Sequence, residues 1–91
     1  MHPELVFEMR QHTTVVQAES LHAALGIQTD LRIWIIMHTA AGQAEFGIDV
    51  FDSGSSLTAC WSLAFAAEVA QLEHDPALAQ RLLSGRRSLL A

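Results

Sequence analysis

The stretch that decides the reading of this chain is LTACWSLAFAAEVAQL, Leu57 to Leu72. At about 100° per residue on a helix, it sorts into arcs. Leu57, Trp61, Phe65 and Leu72 form a bulky arc with Glu68 set into it. Ala59, Cys60, Leu63, Ala64, Ala67 and Ala70 form an arc of mostly small side chains. A helix apolar over most of its circumference is covered on most sides. The small arc would let another backbone approach closely, and the bulky arc needs a core or a partner. The expectation is one long central helix, opened by Ser55 or Ser56 as a cap and stopped at His74-Asp75-Pro76. At about 16 residues it is shorter than the roughly 20 that a membrane span needs, and Glu68 lies inside it, so no membrane association is expected.

The segments before it supply its packing partners. Leu31 to Thr39 (LRIWIIMHT) reads as a strand, because Ile33, Trp34, Ile35 and Ile36 are good sheet material. On that reading Leu31, Ile33, Ile35 and Met37 share one face, and Trp34 and Ile36 make the other face apolar. Ala44 to Asp52 (AEFGIDVFD) alternates as a half-exposed strand. The two would close an antiparallel hairpin over Ala40-Ala41-Gly42-Gln43. Glu4 to Val16 fits either a strand or a helix, and Val16 to Leu25 reads as a helix ended by Gly26. Asp75-Pro76 opens a last helix, Ala77 to Leu83, which Gly85 would end. The fold expected is α+β: a small antiparallel hairpin or sheet packed against one long central helix with flanking short helices, in a single domain spanning residues 1–91.

A chain of 91 residues, 51% hydrophobic and only 16% charged, carries more apolar surface than one small core consumes. A second chain is therefore expected, with a homodimer the simplest choice. Ten acidic residues face five Arg and no Lys, which disfavours direct nucleic-acid binding. Arg81, Arg86 and Arg87 read as solvated residues near a helix C-terminus. Glu4, Glu8 and Arg10 interrupt any leader-like apolar run, so a cytoplasmic location is expected. The composition, rich in Ala and Arg and free of Lys and Asn, hints at a bacterial source.

Catalytic signatures are weak. Cys60 is the single cysteine; inside an apolar stretch it reads as a small hydrophobe. No two of His2, His12, His22, His38 and His74 have the i, i+4 spacing of a helical metal motif, so neither metal nor cofactor is expected. Asp49 and Asp52 read as a strand face and a loop cap. Ser53-Gly54-Ser55-Ser56 lacks the Lys of a phosphate-binding loop. Trp61 and Phe65, one helical turn apart, suit a protein interface or a core equally.

A small, acidic, Lys-free chain with LRIWIIMHT followed by TACWSLAFAAEVAQ resembles the small bacterial antiactivators of quorum sensing. The resemblance implies a non-enzymatic regulator that binds an acyl-homoserine-lactone-responsive transcription regulator and blocks its dimerisation or DNA binding. The partner-binding residues expected are Leu57, Trp61, Phe65 and Leu72, or the strand face of Trp34 and Ile36. The alternative is a small ligand-binding domain with a pocket lined by Trp34, Trp61 and Phe65. A third reading is a small enzyme using His38 with Asp49 or Cys60.

Overall fold

The computed structural model describes residues 4–10, 12–45, 47–51 and 59–90, the last six by backbone alone. The N-terminal segment resolves as a hairpin of β1 (Phe7–Arg10) and β2 (Thr13–Gln17). β-branched Thr13, Thr14, Val15 and Val16 favour the pleated backbone. His12 makes the turn at φ 65°. The register pairs Phe7 with Val16 and Arg10 with Thr13. At the open end Ser20 completes the ladder. Its Oγ accepts from Val6 N (3.0 Å) and donates to Gln17 O (2.8 Å), while Gln17 N donates to Val6 O (2.8 Å).

The chain passes directly from β2 into α1 (Ala18–Leu25), two residues later than expected, because Val16 and Gln17 belong to the sheet. Gly26 ends α1 as read from sequence, at φ 67°. Its N–H donates to Ala23 O and that of Ile27 to His22 O, which satisfies the last carbonyls.

The segment expected as the clearest strand is instead α2 (Leu31–Ala41). Asp30 decides it: its Oδ2 accepts from Arg32 N (3.1 Å) and Ile33 N (3.4 Å), capping the first turn. Thr39 Oγ1 donates back to Ile35 O (2.8 Å), so its hydroxyl is satisfied within the helix. Helical spacing also gives the apolar residues two uses, since Trp34 turns inward while Ile33, Ile36 and Met37 turn outward.

The expected hairpin between Leu31–Thr39 and Ala44–Asp52 is accordingly absent. Among the described residues of the second segment, Val50–Phe51 forms the strand β3. Ahead of it Glu45 O accepts from Asp49 N (2.8 Å) and Val50 N (3.1 Å), and Asp49 Oδ2 accepts from Glu45 N (3.1 Å), folding the chain into a tight loop.

The long central helix is also corrected. Cys60–Ser62 is a strand, β4, and the helix is the shorter α3 (Leu63–Leu72). Ser62 is the switch: its Oγ accepts from Phe65 N (3.1 Å) as the cap. Leu57 and the expected caps Ser55 and Ser56 lie outside the described residues. β4 inserts between β2 and β3, so the antiparallel sheet runs β1-β2-β4-β3. Val16 and Val50 both pair with Trp61.

α4 (Pro76–Leu90) is the longest helix and packs on α3. Asp75 Oδ1 accepts from Leu78 N (3.0 Å), the cap expected from Asp75-Pro76. The helix runs through Gly85, whose cost of about 1 kcal/mol in a helix interior does not stop it. The main core joins Val16, Val50 and Trp61 of the sheet to Leu21, Trp34, Phe65, Ala66, Ala70, Leu78 and Leu82 of the helices. A smaller cluster of Val15, Phe51 and Cys60 occupies the opposite face of the sheet. The class is α+β, as expected, with a four-stranded antiparallel sheet and four helices among the described residues.

Candidate functional site

α2 carries large apolar side chains on both its inner and its outer side. Trp34 is its buried residue, whereas Ile33, Ile36 and Met37 are 54%, 57% and 56% exposed. Residues at i, i+3 and i+4 lie on one helix face, so these three side chains make a single apolar stripe, continued by exposed Ala40. Arg32 at the helix start is exposed beside it.

Beneath α2 lies an aromatic cluster. Trp34 meets Trp61 with ring centroids 5.1 Å apart. Phe65 stands edge-on to Trp61 at 5.0 Å. His22 and His38 stand edge-on to Trp34 at 5.2 and 5.1 Å. His38 Nε2 lies 3.4 Å from Glu73 Oε1, which ties the end of α2 to the end of α3. His22 Nε2 lies 2.6 Å from Thr29 O. The indole N–H groups of Trp34 and Trp61 are buried and make no hydrogen bond among the described residues.

The expected contact residues therefore separate. Trp34, Trp61 and Phe65 come together in the core, 2%, 0% and 6% exposed. Ile36 and Leu72 are at the surface, and Leu57 lies outside the described residues. Trp34 and Ile36 do not share a face, since residues i and i+2 on a helix are about 200° apart. Glu68, set into the bulky arc on the sequence reading, is exposed. The strand reading places Ile33 and Met37 on one face with Leu31 and Ile35; Asp30 ahead of the apolar run is the sequence signal for a helix, which carries them to its surface.

The groups considered for chemistry are dispersed or enclosed. His38 faces Glu73, and Asp49 serves the Glu45 loop. Cys60 is fully buried, with its Sγ 3.6 Å from Glu8 Oε2. Glu8 also accepts from Gln17 Nε2 (2.6 Å) and pairs with Arg10 Nη1 (2.8 Å). The Gln17 amide, with further help from Arg10 and Cys60, holds the Glu8 carboxyl below the usual carboxylate range against the effect of partial desolvation. Among the described residues no three His, Cys, Asp or Glu side chains are grouped to hold a metal ion, and no helix is long and apolar enough to cross a membrane. No family model matches the chain, and comparison with curated proteins and with solved structures returns no match.

Proposed function

We propose that this protein is a non-enzymatic regulator that works by protein–protein contact, as an antiactivator that covers the interface of a bacterial transcription regulator in the cytoplasm. The observation that carries this reading is the exposed stripe of Ile33, Ile36 and Met37 on α2. Three large apolar side chains at i, i+3 and i+4 suit a helix laid into a hydrophobic groove. Burying what remains exposed of each is worth about 1 kcal/mol before the costs of association. Of the residues expected at the contact, Ile36 stays in it, Ile33 and Met37 join it, and Trp34, Trp61 and Phe65 support it from below. The acidic balance of the chain fits a protein that acts on a regulator rather than on DNA.

Affinity co-purification of the tagged chain from a bacterial host lysate, beside its Ile36→Asp variant, tests the proposal. The expected result is a transcription regulator captured by the parent chain and lost from a variant whose circular dichroism is unchanged. Capture of the same proteins by both chains would remove α2 from the contact, and absence of any regulator would remove the antiactivator reading.

One observation favours a second reading, a small ligand-binding domain. Two buried indole N–H groups without acceptors among the described residues sit in one aromatic cluster, and a ligand offering a carbonyl or carboxylate oxygen would satisfy them. A thermal-shift screen of such compounds would raise the melting temperature on this reading; a flat response across the screen counts against it.

A further inference from the structure

β1 ends the sheet, and its outer edge has no strand against it among the described residues. The hydrogen bond from Gln17 N to Val6 O fixes which main-chain groups face which way. In an antiparallel ladder the residues that exchange bonds alternate with those that do not. Val6, Glu8 and Arg10 therefore turn their N–H and C=O groups toward β2, and Leu5, Phe7 and Met9 turn theirs outward. Along this edge partly exposed apolar side chains alternate with charged ones: Val6, Phe7 and Met9 are 44%, 37% and 61% exposed, and Glu8 and Arg10 stand between and after them. Natural edges are commonly protected by charge, proline or a bulge.

We propose that this edge pairs with the β1 edge of a second copy of the chain, antiparallel about a two-fold axis at Phe7, to give a continuous eight-stranded sheet. The parity above limits symmetric pairings to those centred on a residue. Centred on Phe7, the register sets Phe7 against Phe7 and Leu5 against Met9 of the other copy, so the outward groups of all three residues are bonded. It also sets Glu4 opposite Arg10 of the other copy, twice by symmetry. Centring on Glu8 would oppose two like carboxylates, and centring on Met9 would leave Leu5 and Glu4 beyond the paired stretch. Charge complementarity and length of overlap thus select the same register. Arg10, now on its own Glu8 at 2.8 Å, would be shared with Glu4 of the second copy. Opposite charges directly across an antiparallel pair stabilise it, and like charges oppose it.

Sedimentation analysis of the full chain over a range of concentrations, with three variants, tests this. The parent chain is expected to dimerise. Met9→Pro removes an outward N–H and spares the bonds to β2, as edge positions allow, and is expected to be a folded monomer by circular dichroism. Arg10→Glu is expected to weaken the dimer about tenfold, through two lost pairs and two new repulsions, and the double variant Glu4→Arg/Arg10→Glu to restore it. A parent chain that stays monomeric at the highest attainable concentration would overturn the proposal. So would a dimer that survives Met9→Pro, or an Arg10→Glu defect that the reversed pair does not rescue.

Discussion

The indole of Trp34 on α2 rests on the indole of Trp61 on β4, with ring centroids 5.1 Å apart and ring planes 32° apart. This is the contact that fixes α2 over the sheet, because Trp34 is the buried residue of that helix. Trp34→Ala is expected to cost about 3–5 kcal/mol, a large part of the stability of so small a fold. Trp34→Phe keeps an aromatic ring and removes a buried N–H that has no acceptor among the described residues, so its cost is expected to be well under half of that. Urea unfolding of the two variants, followed by far-UV circular dichroism, checks the ranking. Equal losses would mean that ring packing does not hold α2.

Asp30→Ala separates a helix from a strand at 31–41. Loss of the cap on Arg32 N and Ile33 N is expected to cost about 1 kcal/mol, whereas Asp30→Ser, which can still cap, should cost little. If neither change moves the urea midpoint, the cap does not stabilise the helix.

Ser20 is 8% exposed and stands between two strands it does not belong to. Ser20→Ala leaves Val6 N and Gln17 O facing each other without the bridging hydroxyl, and about 1–3 kcal/mol of stability is expected to go with it. Amide hydrogen exchange supplies the sharper readout. Protection at Val6 should fall by more than at Glu8, farther along the same hairpin.

Glu8 makes stability pH-dependent in a known direction. Its native carboxyl is held below the ordinary value, chiefly by Gln17. The stabilisation is therefore complete above the ordinary glutamate pKa and is lost as the pH falls through the lowered native value. The parent chain should lose more melting temperature on acidification than Glu8→Gln, with the two curves converging at the acid end. Parallel curves would show that Glu8 is not linked to folding.

What the sequence shows plainly is punctuation. Gly26 ends α1 and Asp75-Pro76 opens α4. What it conceals is the competition between neighbours. The composition of residues 31–39 speaks for a strand, but Asp30 and the spacing of Ile33, Ile36 and Met37 speak for a helix, and the slots beside β2 and β3 are taken by Cys60–Ser62. A three-residue strand has too little length to show a period, so β4 reads as the first turn of the helix that follows it. The candidate contact surface inherits the same difficulty. Ile36 is legible as a partner contact on the strand face it would share with Trp34, and Leu72 as part of an arc, but Ile33 and Met37 join the contact surface only once the segment is helical.

The strand order has a consequence for the timing of synthesis. β2 and β3 are held together only through β4, so Val16 and Val50 wait for Trp61. While the chain is being made, the β1–β2 hairpin can form from its own local contacts, but its inner edge stays open until residue 62 has left the ribosome. Throughout that interval LRIWIIMHT is the nearest sheet-prone segment, and it is already present. Contacts this distant in sequence form slowly. A nascent chain that lets residues 31–39 dock on β2 first occupies the place reserved for β4. Asp30, by capping a helix start at Leu31, biases that competitor away from the place of β4.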